Sequence, residues 1–514
     1  MVVGLASLGM LAADRRSWSL IENTLLLAGL STAISLPAAV PLAWLVVRTD
    51  LPGRRVFLAV FAATLFVPLY LQAAAWQAGF GLQGWQTGVF GTPPLLSGWT
   101  GAAWIHAMAA LPWAVLLVAA GLRLVEPELE EQALLDGSSL QVFARVSLPA
   151  ARGAILVAGV WVAIVAAGEM TVTDLFLVRT YAEEVYTQIA VGPQPDEPPL
   201  ALLPGVVLCG WLVLAGLLVA ARLAPGDRPP TLRPPRCFSL GRWRLPALVL
   251  VVVVLVLVVG VPLGNLLYKA GVVVTQIEAG RVRSWSALKC LAIVAESPWR
   301  YYRELGWSLA IGSLAATAAT AVGAALAWPA RRGGLRTAAL LVLTAAVLAL
   351  PGPVVGLGLI RLLNRPEVPL LVTLYDRSIL APWLAMLLRG LGPATLILWH
   401  AFRFVPAEVL DAAAVDGAGP LLRLWRIVLP AKWPALAVAW LVALAVALGD
   451  LAASILVVPP GVTTLSIRIF GLLHYGVEDQ VAGISLALMV MLLVPAALVI
   501  HLATRGATLA CASG

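Results

Sequence analysis

The side chains able to make or break bonds are few in this sequence, and none stands at a spacing that would let it do so. The only lysines are Lys269, Lys289 and Lys432, and none follows a glycine. The phosphate-cradling pattern G-x-x-x-x-G-K-[ST] is therefore absent, and the chain cannot bind ATP by that device. His106, His400, His474 and His501 are scattered and read as packing or hydrogen-bonded residues rather than metal ligands. Cys209, Cys237, Cys290 and Cys511 form no C-x-x-C, so neither a disulfide framework nor a metal knuckle is indicated. No nucleophile and base share an enzyme-like spacing. An enzyme is disfavoured, and no cofactor or metal is expected on this chain.

What remains is charge inside apolar segments. Glu169 and Asp450 each follow a glycine, and each comes 20 residues after the proline of a Leu-Pro pair. A carboxylate within a membrane costs a few kcal/mol unless it faces protein or water. Two readings stay open: both line a translocation path or its external gate, or each is a helix-end carboxylate bonded to a neighbouring helix. Arg389 lies near the middle of its apolar segment. It is expected to pair with Asp450 or another carboxylate rather than to snorkel to an interface.

A short stretch that occurs twice is the sharpest pattern. The first copy is Glu131-Gln132-Ala133, three residues, Gly137, then Val146-Ser147-Leu148-Pro149. The second is Asp411-Ala412-Ala413, three residues, Gly417, then Ile427-Val428-Leu429-Pro430. Glycine ends a helix through a left-handed backbone, and proline restarts one at its first turn. Each copy thus reads as a short polar helix, a sharp turn and re-entry into an apolar segment.

The elements that hold these residues follow from composition. Hydrophobic residues make up 61% of the 514-residue chain and charged residues 12%, with mean hydropathy +0.95. Soluble domains carry about 25% charge, so this is a polytopic membrane protein. The net charge of +8 does not indicate nucleic acid, because the basic residues cluster between apolar runs as positive-inside loops do. Eleven spans are expected, near 19–47, 56–78, 99–121, 151–173, 199–222, 245–268, 305–329, 336–360, 379–402, 433–457 and 480–502. Arg48, Arg54 and Arg55, the arginines of 222–244, and Arg331, Arg332 and Arg336 put their loops, and by alternation both repeated stretches, on the cytoplasmic side. The stretch 269–304 is then external despite its Lys and Arg residues, and its Trp and Tyr content suggests an interfacial amphipathic segment. Met1–Ala13 is apolar without a charged leader, and reads as a truncated or interfacial helix rather than a cleaved signal.

The Pro/Arg-rich linker 224–244 reads as an extended seam between a first half, 1–223, and a second half, 245–514. The halves are repeats. Asn23-Thr24-Leu25 matches Trp307-Ser308-Leu309 at an offset of 284, and Pro68, Pro112, Gly137, Pro149 and Glu169 match Pro351, Pro393, Gly417, Pro430 and Asp450 at offsets of 280 to 283. An even number of spans between equivalent points makes the repeats parallel, related by an axis along the membrane normal.

The repeated stretch resembles the cytoplasmic loop of the permease subunits of binding-protein-dependent ABC importers, E-A-A, three residues, G, nine residues, I-x-L-P. The second copy keeps that spacing with Asp411 in place of Glu. The first has Gln132 for the middle Ala and one residue fewer before Leu148-Pro149, which should turn Pro149 by about 100° around a helix. Arg48–Arg55, Tyr186–Ile189, Leu350-Pro351-Gly352 and Asn364-Arg365-Pro366 resemble the fused, two-half permeases of iron(III) importers. The resemblance implies an all-α fold of the type I importer permease, about 11–12 transmembrane helices in two pseudo-symmetric halves. It places the protein, multi-pass, in the inner membrane of a bacterium. It implies coupling helices in 126–150 and 406–431 that seat in two copies of a separate ATPase, which holds the ATP and Mg. Glu131, Ala133, Gly137, Leu148 and Pro149 would serve the first, and Asp411, Ala412, Ala413, Gly417, Leu429 and Pro430 the second. It further implies an extracytoplasmic solute-binding protein as partner. Iron(III) is the first expected solute, with thiamine, phosphonate, polyamine and sulfate or molybdate as alternatives. The rival class is an ion-coupled secondary transporter working through Glu169, Asp450 or Arg389.

Overall fold

The computed structural model describes residues 15–191, 237–277 and 280–491, with four isolated positions between 210 and 218. The chain opens with α1 (Arg15–Arg48). Its hydroxyls Thr24, Ser31 and Ser35 donate to carbonyls four residues back at 2.7 to 2.8 Å, which satisfies them where lipid offers no partner. Then come α2 (Arg54–Thr64), α3 (Leu69–Phe80), α4 (Gly98–Arg123), α5 (Pro127–Asp136), α6 (Arg152–Gly168) and α7 (Tyr181–Val191). After the linker, α8 (Gly241–Gly271) leads to an antiparallel hairpin, β1 (Val272–Ile277) and β2 (Gly280–Trp285), with Val272 opposite Trp285. The second half follows as α9 (Ala287–Arg300), α10 (Tyr302–Ala330), α11 (Gly334–Ala349), α12 (Gly352–Leu363), α13 (Leu380–Arg403), α14 (Ala407–Val415), α15 (Trp433–Gly449) and α16 (Leu465–His474). A further helix is described from 478 to 491. The expected span 199–222 lies almost wholly outside the described residues, as do the linker up to 236 and the end of 480–502.

The same order of elements occurs twice. Each half packs its first helix against the long Pro-containing helix and the helix after the loop: α1, α4 and α6 around Leu42, Ile105, Leu111 and Val162, α10, α13 and α15 around Ala319, Leu398 and Ala443. In each half a buried hydroxyl on the first helix receives a backbone N–H at the start of a later one, α7 or α16. Tyr181 N donates to Thr24 Oγ1 at 2.9 Å, and Leu465 N to Ser308 Oγ at 2.7 Å. Ion pairs tie the same elements with their signs exchanged, Arg16 to Glu184 and Glu304 to Arg468.

Several expected spans are not single helices. The span 56–78 is broken at Pro68, where the chain turns by 100° between α2 and the helical segment after it. Likewise 336–360 is broken at Pro351, with a 97° turn between α11 and α12. Both prolines sit in extended backbone, ψ 150° and 147°, just ahead of the second segment. A proline donates no N–H and its ring disfavours a helical residue before it, so each break is local chemistry repeated. The spans 151–173 and 433–457 stop short, at Gly168 and Gly449, where Glu169 and Asp450 turn extended. Sequence places α8 at the head of the second half, but its Ala247, Val251 and Val258 are buried among first-half residues. Its Asn265 accepts from Trp85 Nε1 at 2.8 Å and donates to the carbonyl of Ala75 at 3.1 Å.

The stretch 269–304 holds the hairpin and then the amphipathic α9. Leu288, Leu291 and Trp299 form an exposed face of α9. Lys269 pairs with Glu478 and Lys289 with Asp479, so two cations that break the positive-inside pattern have acidic partners.

Candidate functional site: two repeated loops and the contact between halves

Each repeated stretch is a helix, a turn and a second short helix that widens before its Leu-Pro. The five-residue π turns Phe143–Ser147 and Leu424–Val428 close with Leu148 N donating to Phe143 O and Leu429 N to Leu424 O. A third π turn, Val256–Gly260, precedes Val261-Pro262 in the same way. A proline clashes with the carbonyl four residues before it, and widening the preceding turn relieves that clash. The chain then bends by 68° into α6 and by 83° into α15. These bends fall at Ala151 and Lys432, two residues past the prolines, so Pro149 and Pro430 shape the approach rather than start the span.

The missing residue of the first loop is absorbed in the turn. Gly417 takes the left-handed backbone, φ 80°, and Gly419 then caps a short helix with Pro420 at its start. Gly137 is extended instead, φ −148°. The next residue, Ser138, already caps the following helix, accepting from Gln141 N. From the π turns onward both loops run in register, and the expected rotation of Pro149 does not occur.

The outer faces of the loops agree position by position. Leu135 and Val415 are 86% and 88% exposed, Leu140 and Leu421 both 67%, and Leu129 and Val409 both 47%. Glu131 and Asp411 are exposed beside them, as are Gln132 and Ala412, while Ala133 and Ala413 are half-buried. Leu148 and Leu429 are half-buried, and Pro149 and Pro430 exposed. Arg145 and Arg426 are exposed at equivalent places, and Trp425 is exposed where the first loop has Ala144.

The inner faces differ. Glu130 is fully buried, ion-paired with the equally buried Arg48 at the end of α1, and accepts from Ser147 Oγ at 2.6 Å. Arg48 also donates to the carbonyl of Leu122 at 3.3 Å. Leu410 and Val428 occupy the places of Glu130 and Ser147 in the second half, within an apolar cluster.

The carboxylates expected at a gate stand where the halves meet. A Cβ on Gly168 would lie 3.7 Å from Pro351 Cα, and one on Gly449 3.9 Å from Pro68 Cβ. Each half thus lays the end of its post-loop helix on the break of the other. Met170, Leu451, Ala452 and Phe470 fill the contact, Tyr70 donates to the carbonyl of Leu448 at 3.3 Å, and His474 Nε2 lies 3.0 Å from Asp174 Oδ2. Glu169 accepts the N–H groups of Thr171 and Val172 at 2.7 and 2.9 Å, and His106 Nε2 stands 3.6 Å away. Asp450 accepts from Ser454 N at 3.0 Å and lies 3.6 Å from Arg389 Nε. Arg389 also donates to the carbonyl of Leu350 at 3.0 Å. Both carboxylates cap the turn that follows their helix, and both face a base on the Pro-containing helix of their own half. His106 is the residue sequence reasoning missed. Its only signal is its place on α4, the counterpart of the helix carrying Arg389.

Two parallel helix bundles, a matched exposed loop on each and a packed contact between them are the build of a membrane permease. Residues 319–505, within the second half, match the family described as binding-protein-dependent transport system inner membrane component, and the chain is similar to inner-membrane permeases of that ABC importer class. It is 27% identical over 223 residues to the putrescine transport system permease protein PotI of Escherichia coli K12, covering 40% of this chain and 76% of that one. It is also 27% identical over 154 residues to a protein of Salmonella typhimurium provisionally named 2-aminoethylphosphonate transport system permease protein PhnV, covering 28% of this chain and 53% of that one.

Proposed function

We propose that the two repeated loops are docking sites for two copies of one ATPase, which drives a solute, handed over by an external binding protein, between the halves. The observation that carries this is the equal exposure of Leu129, Leu135 and Leu140 with Val409, Val415 and Leu421. Two identical partners need two like surfaces, and large apolar side chains left in water at matched positions are what such a partner would cover. The helices behind them are short and braced, so displacement of a loop passes to α6 or α15 rather than being absorbed. Chemistry stays in the partner, and this chain acts as the moving pathway, with no covalent step and no cofactor of its own. Glu169 beside His106 and Asp450 beside Arg389 hold the contact between the halves by pairing within each half. That self-pairing supports a gate over an ion-coupled secondary transporter.

For the solute, a small molecule bearing an aliphatic primary amine takes precedence. Putrescine and 2-aminoethylphosphonate, in the names of the relatives, share that group. The iron(III) expectation rests on the fused two-half layout and the flanking motifs, without support from these relatives. Uptake of labelled putrescine, 2-aminoethylphosphonate and iron(III) into cells lacking and regaining this gene tests the order, and gene-dependent uptake of iron(III) alone would reverse it. Docking is tested by Leu135→Asp with Val415→Asp. The ATPase should no longer co-purify while the chain still inserts, and retention of the ATPase would remove the reading.

A further inference from the structure

We infer that Cys237–Leu240, where the inter-half linker ends, form a strap that positions the first loop helix, α5; this rests on the docking role proposed above. The strap lies along the end of α1 as a short parallel pairing, Thr49 beside Phe238. Phe238 N donates to the carbonyl of Arg48 at 2.7 Å, and Asp50 N to the carbonyl of Phe238 at 3.1 Å. Leu240 N donates to Asp50 Oδ1 at 2.9 Å, and Arg54 Nη1 bridges Cys237 Sγ and the carbonyl of Thr49, both at 2.8 Å. A four-residue peptide held by three backbone N–H bonds and a buried phenyl ring is built as a fixed contact, not a passing loop.

Two routes run from it to the first loop. The buried Phe238 ring lies 6.0 Å from Trp44, which lies 4.7 Å from Phe143, the first residue of the π turn. The residue whose carbonyl Phe238 binds, Arg48, carries the guanidinium paired with Glu130 of α5. The strap therefore touches the support of both ends of the loop. In the second half Trp328, the counterpart of Trp44, is covered instead by its own neighbour Arg331, 3.4 Å over the ring, and Leu410 and Val428 replace the polar anchor. Among the described residues, only the first loop is fastened to the linker, and the same strap leads directly into α8, which packs on the first half. The linker is thus a positioning part of the first drive site, and strain on it reaches one loop and not the other.

Hydrogen exchange of the full chain in lipid nanodiscs tests this without the ATPase. Phe238→Ala should speed exchange over 127–147 by about tenfold, equivalent to ~1.4 kcal/mol of local opening. Exchange over 407–428 should not change, and Phe238→Leu should restore most of the protection. Unchanged exchange over 127–147, or an equal rise in both loops, overturns the inference. With the co-purifying ATPase in vesicles, Phe238→Ala should lower the solute moved per ATP while the KM for ATP stays the same. An unaltered ratio beside altered exchange overturns the role in the drive. If Leu135→Asp with Val415→Asp leaves the ATPase bound, the docking reading fails while the exchange result still judges the strap.

Discussion

Removing Glu130 should be among the most damaging single changes in the first loop, and repairing its neighbours should undo the damage. Glu130 and Arg48 are both fully buried and paired, and Ser147 donates to the same carboxylate at 2.6 Å. Glu130→Leu leaves a buried guanidinium without a counter-charge, which costs about 3–5 kcal/mol. Replacing a buried pair by apolar residues of like volume is often neutral, and the second half already carries Leu410 and Val428 at two of the three places. The triple variant Arg48→Leu, Glu130→Leu, Ser147→Val should therefore cost only about 1 kcal/mol, chiefly the hydrogen bond to the carbonyl of Leu122. The difference, ~2–4 kcal/mol, is the stability that replacing the rest of the trio should recover. Unfolding in mixed micelles with rising SDS fraction, followed by tryptophan fluorescence, measures all three proteins. A single variant within about 1 kcal/mol of the parent, or a triple variant as unstable as the single, would refute the account of the anchor.

Other outcomes follow from the contact between halves. Arg389→Leu strands the buried Asp450 and should destabilise by about 3 kcal/mol, with most of it recovered in Arg389→Leu/Asp450→Asn; no recovery in the same unfolding assay would show that the two do not pair. Gly168→Ala with Gly449→Ala meets only ordinary van der Waals contact with Pro351 and Pro68 and should leave the halves together. Leu at both sites should wedge them apart, read as a longer distance between spin labels at the exposed Leu177 and Tyr475, and an unchanged distance contradicts the assigned contact. The imidazole of His474 is raised above its ordinary value, first by its hydrogen bond to Asp174. Its contribution is then complete below about pH 6.5 and lost as pH rises through the raised value. Thermal stability should fall over that window in the parent and lose the slope in His474→Gln, whereas an equal slope in both assigns it elsewhere.

Much of this was written in the chain because it depends on local chemistry. Apolar run length sets α1, α4, α10 and α13, proline sets the two breaks and the three π turns, and recurrence of both at offsets near 281 sets the doubled order. Leu135 and Val415 stand at one place in one repeated pattern, but apolar residue type alone favours burial, and the fold is what leaves them exposed. Other features needed the folded chain. That Gly168 rests on Pro351 and Gly449 on Pro68, that Glu169 faces His106, and that Lys269 and Lys289 find Glu478 and Asp479 are pairings across 63 to 381 residues, beyond the reach of helical periodicity. The missing residue before Leu148 looked like a rotation because a helix was assumed to carry it, whereas an extended Gly137 took it up. Sequence by itself determined which segments are long and apolar and how their pattern recurs, because those depend on side chains a few residues apart. Tertiary structure alone decided which buried charges meet and where the linker is fastened, because a buried ion is stable only beside a partner and only the fold chooses that partner.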